Sequence, residues 1–166
     1  HVSTSMKKLN VLRNSIDAEG SQALVDAAPR QLQTFCGFEE GQTEVDLSGK
    51  FDEDGHRIGT ALGPGGAILL AWELTTGYVS SSMTSADLSQ NHLGGYYVDG
   101  YDSDGDKELK WVANMTGMKA IADALSVSSS MTSMDLSSNH LTGVIYSWDT
   151  TDFTGIKAIA DALSVS

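Results

Sequence analysis

Two hydrophobic periods alternate along this chain. Met83, Ala86 and Leu88 fall on one side of a short extended stretch while Ser85, Asp87 and Ser89 fall on the other. Met131, Met134 and Leu136, against Ser133, Asp135 and Ser137, repeat the arrangement. Strict alternation of this kind predicts a half-buried strand. The period then lengthens. Met118, Ile121, Ala122 and Leu125 recur at i, i+3, i+4 and i+7 with Lys119 and Asp123 off the stripe, and Ile156, Ile159, Ala160 and Leu163 do the same. Each run predicts a short amphipathic helix, with Thr116 and Thr154 expected as N-caps.

The copies are close in sequence as well as in pattern. VSSSMTSADLSQNHLGG from Val79 returns as VSSSMTSMDLSSNHLTG from Val127, and TGMKAIADALSVS from Thr116 returns as TGIKAIADALSVS from Thr154. This is a tandem repeat. One strand and one short helix cannot bury both of their apolar faces alone. Stacked side by side, such units predict a parallel sheet on one face, a helix layer on the other, and one shared core.

The strand segments resemble the leucine-rich-repeat consensus L-x-x-L-x-L-x-x-N-x-L. The matches are Met83-x-x-Ala86-x-Leu88-x-x-Asn91-x-Leu93, Met131-x-x-Met134-x-Leu136-x-x-Asn139-x-Leu141 and Met6-x-x-Leu9-x-Val11-x-x-Asn14-x-Ile16. The helical stretches GMKAIADAL and EGSQALVDA are similar to those of the ribonuclease-inhibitor-like subclass. A degenerate copy, TEVDLSGK at 43–50, places Lys50 where the turn asparagine belongs, and its helix is expected at Gly65–Leu74 behind Pro64. The expected fold class is therefore α/β, a leucine-rich-repeat solenoid of about four units near 6–41, 42–82, 83–130 and 131–166, in one domain truncated at both ends. The units exceed the roughly 20–29 residues of the compact family repeat. Insertions at 51–63, 96–115 and 144–153 account for the excess. The resemblance implies that Asn14, Asn91 and Asn139 turn the chain after each strand and form a hydrogen-bonded ladder.

It also implies a non-enzymatic protein-interaction or scaffold module of the eukaryotic kind. Parallel stacking turns the outward strand positions into one face, with Asp46, Asp87 and Asp135 as a column beside Ser48, Ser85, Ser89, Ser133 and Ser137. That strip suits a basic protein partner; the alternative is that D-L-S is a common filler of such repeats. Aromatic residues, Trp111 and Trp148 among them, concentrate in the insertions and either anchor a partner or fold back over the repeats. The second functional reading is a structural subunit held permanently in a larger complex. A third, regulation of a GTPase or other enzyme, has only Arg13, Arg30 and Arg57 to offer a catalytic arginine.

Charge narrows the partners. The chain has 22 acidic and 10 basic side chains, a formal net charge of −12, which disfavours nucleic acid and anionic membranes. The longest strongly apolar run, Ala67–Trp72, is too short to span a bilayer. The lone thiol, Cys36, builds no disulfide framework and fits an intracellular, reducing setting; beside Phe35 and Phe38 it reads as a small core residue. Acidic loops at Asp99–Asp106 and Asp52–Gly55 invite calcium. Aligned on Gly105 or Gly55, however, an EF-hand loop needs ligands where Gly100, Trp111, Lys50 and Ala61 stand. His92 and His140 share one repeat position, so stacking brings them together on what is expected to be a solvent-facing site. No nucleophile, phosphate-loop or zinc-protease motif occurs, so neither cofactor nor metal is expected.

Overall fold

The computed structural model describes residues 5–101, 104, 106–142 and 151–164. The architecture is mixed α/β. Strands β1 (Glu44–Asp46), β4 (Ser85–Asp87) and β7 (Ser133–Asp135) form a parallel sheet in that order. Their register brings Glu44, Ser85 and Ser133 side by side, then Val45, Ala86 and Met134, then Asp46, Asp87 and Asp135. Helices α1 (Ala18–Asp26), α2 (Pro64–Thr75), α3 (Thr116–Val127) and α4 (Thr154–Ser164) pack each on the next. The core lies between the layers, built on Met83, Leu88 and Leu93 from the strand side and Leu69, Leu70, Met118 and Ile121 from the helices. Each of these seven side chains is at most 1% exposed.

The helix starts differ from expectation. Met115, not Thr116, precedes α3, and the oxygen that accepts from the Thr116 N–H is Asn114 Oδ1 at 3.0 Å. At α4 the Thr154 N–H donates to Asp152 Oδ1 at 2.8 Å and its hydroxyl donates to the same oxygen. In both helices the threonine is the first helical residue, and an Asx side chain two positions earlier caps the backbone. Asp17 caps α1 through the Gly20 N–H at 2.7 Å. These caps satisfy amides that otherwise lack intrahelical partners.

The segment around Met6–Ile16 is not a fourth strand of the sheet. It makes isolated bridges, Lys8 to Thr34 and Asn10 to Cys36, with the Leu9 and Val11 amides donating to the Thr34 and Phe35 carbonyls at 3.0 Å. A buried carboxylate explains this pairing. Glu73 Oε1 accepts from Thr34 Oγ1 at 2.7 Å and from the Phe35 and Cys36 amides at 2.6 and 2.9 Å. It pins residues 34–36 against α2, where their carbonyls meet the N-terminal segment.

Two of the insertions are hairpins. β2 (Lys50–Phe51) pairs with β3 (Arg57–Ile58), and β5 (Gly95–Tyr101) pairs with β6 (Lys107–Ala113), both antiparallel. Most of the third insertion, Trp148 included, lies outside the described residues. Among the described residues no helix is long and apolar enough to cross a membrane.

Candidate functional site

The sheet face is assembled from three local copies of one turn. Asp46, Asp87 and Asp135 project from adjacent strands, about 4.8 Å apart by the spacing of a sheet. Each carboxylate also accepts from the amide two residues on: Ser48 at 3.0 Å, Ser89 at 2.9 Å and Ser137 at 2.8 Å. The aspartates thus serve the fold as well as the surface. Lys50 Nζ lies 2.5 Å from Asp46 Oδ2, and this bond, with those from Ser48, holds the Asp46 carboxyl well below the usual carboxylate range. The Ser137 N–H lowers Asp135. Among the described residues Lys50 is the one cation bonded to the column.

The serines divide. Ser133 and Ser137 are exposed and Ser85 is half-buried, whereas Ser48 and Ser89 are each only 7% exposed. The expected serine strip is therefore narrower than the alternation implied. Ser137 makes the same bond to its aspartate and stays exposed, so that bond alone does not take Ser48 and Ser89 off the face.

Behind the face run two ladders. Asn91 Nδ2 donates to the Leu88 and Ser89 carbonyls of its own turn and to Leu47 O of the preceding strand at 2.8 Å. Asn139 Nδ2 repeats this with Leu136 O, Ser137 O and, at 2.8 Å, Leu88 O. Both side chains are buried. Among the described residues Asn14 bonds its own turn alone, the Val11 and Leu12 carbonyls, and is exposed. Where Lys50 replaces the asparagine, Arg13 reaches across from the N-terminal segment and donates to Leu47 O at 2.9 Å and Ser48 O at 3.2 Å. These are the carbonyls an asparagine would have satisfied. The second ladder consists of threonines. Thr84 Oγ1 donates to Thr43 O and Thr132 Oγ1 to Thr84 O, both at 3.0 Å. The repeated Thr ahead of each strand was its signal in the sequence.

His92 and His140 do come together, with ring centroids 6.1 Å apart, but they do not face open solvent. Trp111 of β6 packs on both, at 5.7 and 5.1 Å, and Tyr97 of β5 lies 5.0 Å from Trp111. The β5–β6 hairpin folds back onto the repeat position it follows. Burial, helped by Arg57 and His140, pushes His92 down to about 4, and burial lowers His140. Trp111 is thus partly spent on this cluster, while Tyr96 and Leu109 remain 42% and 62% exposed. Beside the cluster lies an open cleft of about 470 Å³ whose walls include Ile16, Arg57, Pro64, His92, Tyr97 and Asn114. A larger hollow, about 650 Å³, runs between α3 and α4 on the helix side, away from both features.

Other candidates reduce to structure. Asp52, Asp54 and His56 offer ligand atoms within 4.8 Å of one another, but all three are exposed, and Asp52 Oδ1 already accepts from the Asp54 and His56 amides of the hairpin turn. Of the second acidic loop, Asp102 and Gly105 lie outside the described residues. Cys36 is 4% exposed, and burial and the neighbouring Glu73 push its thiol well up, away from reactive thiolate.

No family model matches the chain, and neither a curated protein nor a solved structure shows significant similarity to it.

Proposed function

We propose that this chain is a leucine-rich-repeat solenoid of the ribonuclease-inhibitor-like kind, and that it acts as a non-enzymatic interaction module holding a basic protein segment along its strand face. The observation that carries this reading is the in-register column of Asp46, Asp87 and Asp135, neutralised at one end only by Lys50. Carboxylates spaced by one strand match cationic side chains on a segment crossing the strands. Complementarity of this kind fixes register and accelerates encounter more than it adds affinity. The asparagine and threonine ladders hold the column rigid, which limits the entropy lost on binding.

The test separates binding from folding. Asp87→Asn and Asp135→Asn keep the oxygen that accepts from Ser89 and Ser137 while removing the charge. The double variant is expected to retain the parent's circular dichroism and melting temperature. It should lose at least tenfold in affinity for a lysine- and arginine-rich peptide, measured by fluorescence anisotropy at low salt. Binding by the parent that is insensitive to salt, or unchanged in the double variant, would sink the proposal. The second reading, a permanent subunit of a larger complex, draws on the exposed Tyr96 and Leu109 of the β5–β6 hairpin. It requires stoichiometric co-purification with partners and loss of incorporation when those two side chains are replaced by serine.

A further inference from the structure

The insertions lie outside the repeat, yet two of them meet. The β2–β3 hairpin brings Arg57, and the β5–β6 hairpin brings Tyr96 and Tyr97, to the walls of the open cleft of about 470 Å³. The repeats close the rest of it. His92 comes from the turn after β4, and Ile16, Pro64 and Asn114 stand at or just ahead of the starts of α1, α2 and α3. The volume falls within the range of small-molecule sites, roughly 300–1,000 Å³.

In a chain with 22 acidic and 10 basic side chains, the cation of this cleft meets no carboxylate. Arg57 Nη2 donates to Gln90 O at 2.5 Å, the guanidinium lies 4.8 Å from the Phe51 ring centroid, and Nη1 is buried without a partner. Arg13 likewise donates to carbonyls, among them Thr60 O on the cleft wall at 2.7 Å. Burial, and then the neighbouring Arg13, lower Arg57 from its ordinary value. Among the described residues neither guanidinium is in an ion pair. Asp17 lines the same wall, but its Oδ1 caps α1 by accepting from the Gly20 amide. Two arginines against one aspartate give the cleft the opposite sign to the chain as a whole.

The other walls are rings. Tyr97 and His92 lie edge to face with centroids 5.5 Å apart, and Tyr96 is 42% exposed. His92, depressed to about 4, is neutral near pH 7 and supplies a ring without a charge.

We infer that this cleft binds a small aromatic carboxylate, its ring against Tyr96, Tyr97 and His92 and its carboxylate at Arg57. A single negative charge suits a wall with one arginine, because a charge-assisted bond to guanidinium is open to an anion and not to a neutral ligand. A planar ring suits walls of the same kind, which favour offset and edge-on contacts. The site is independent of the strand-face binding proposed above, since Asp46, Asp87 and Asp135 do not line the cleft.

The test follows naphthoate by amide NMR on the full chain, with naphthalenemethanol as its neutral analogue and acetate as an anion without a ring. Naphthoate is expected to shift the amides of Ala18, Gly95, Tyr97 and Asn114, all on the cleft wall, and to leave those of Ser133–Asp135 in place. The two controls should each bind at least tenfold more weakly. Arg57→Gln should weaken naphthoate at least tenfold and leave naphthalenemethanol unchanged, while Arg57→Lys keeps part of the affinity. Because Arg57 also braces the Gln90 turn, Tyr96→Ser supplies a second route. That exposed side chain should leave the melting temperature unchanged when replaced, and naphthoate should weaken severalfold. Cleft amides that stay unmoved by naphthoate overturn the inference. So does equal binding of naphthalenemethanol or acetate, or undiminished naphthoate binding in an Arg57→Gln variant folded by circular dichroism. Should that variant not fold, the three probes on the parent and on Tyr96→Ser decide.

Discussion

Helices α3 and α4 carry the same thirteen-residue sequence but for Met118 and Ile156, and yet one is a core helix and the other an outer one. Five α3 residues are buried, Gly117, Met118, Ile121, Ala122 and Ala124, against Gly155 and Ala162 in α4. Propensity, amphipathicity and cap chemistry are shared, so none of them explains the contrast. Position in the row of helices does. Most of the stability of a short helix comes from what packs on it, and in this row every helix lends a face to the next.

The sharpest way to break the comparison is to truncate matched positions. Met118→Ala is expected to destabilise the chain by about 2–5 kcal/mol, as a buried large-to-small change does. Ile156→Ala should cost less than about 1 kcal/mol, as at an exposed site. Urea denaturation of the two variants checks this; equal costs would mean that α4 is covered in solution.

A second contrast lies between α2 and α3, where Glu73 occupies the position of Leu125. Glu73→Ala would strand the Thr34 hydroxyl proton and the Phe35 amide, while the Cys36 amide keeps Thr34 Oγ1 as acceptor, at about 1–3 kcal/mol for such unsatisfied groups. Glu73→Gln keeps the accepting oxygen and should stay close to the parent. Burial raises this carboxyl above its ordinary 4.5. Its protonated form is therefore the better fit to the fold. The stability linked to it is complete below the ordinary glutamate range and is lost as pH rises through the folded-state value. The parent should fall relative to Glu73→Gln as pH climbs through that window, read from denaturation midpoints at successive pH values.

The ladder offers an inner and an outer rung. Asn91 and Asn139 each donate across to a preceding strand, but the Asn91 rung also has Asn139 stacked behind it. Asn91→Ala is expected to cost about 1–3 kcal/mol, and Asn139→Ala less, by differential scanning calorimetry. The histidines give the smallest effect and the opposite pH sense. His92 is depressed from 6.5 to about 4, so its contribution is complete above pH 6.5 and is lost as pH falls towards 4. An NMR titration should find His92 titrating below His140, and His92→Phe should flatten the acid limb of the stability curve.

The repeats were legible because their signals are periodic. β4, β7, α3 and α4 follow from apolar spacing, α1 from the likeness of EGSQALVDA to a repeat helix, and α2 from Pro64 ahead of an apolar run. What escaped was set by contacts between distant residues. The first unit has the spacing of a strand, but Glu73 holds Thr34–Cys36 beside it and turns its pairing elsewhere. Glu73 itself had a signal, a single charge inside AILLAWEL. Ser48 and Ser89 alternate as outward residues should, yet both are buried, whereas Ser137 in the same kind of turn is exposed. Arg13 could not be foreseen as the substitute for an asparagine, since nothing local links it to Leu47. The turns carry one more feature that sequence pattern conceals: Arg13, Gln90 and Ser138, each just ahead of its asparagine, adopt left-handed φ of 60°, 57° and 56°. For side chains other than glycine this conformation is uncommon.

The long reach of the strand pairings bears on the order of folding. Thr84 meets Thr43 across 41 residues and Thr132 meets Thr84 across 48, and each strand so joined is three residues long. Closing such loops is charged against very few new bonds, whereas the β5–β6 hairpin and the helices close locally and form within about 10 μs. The sheet that carries the acidic column is then expected to assemble last, after neighbouring helices have met. Its formation sets the time at which the face first exists.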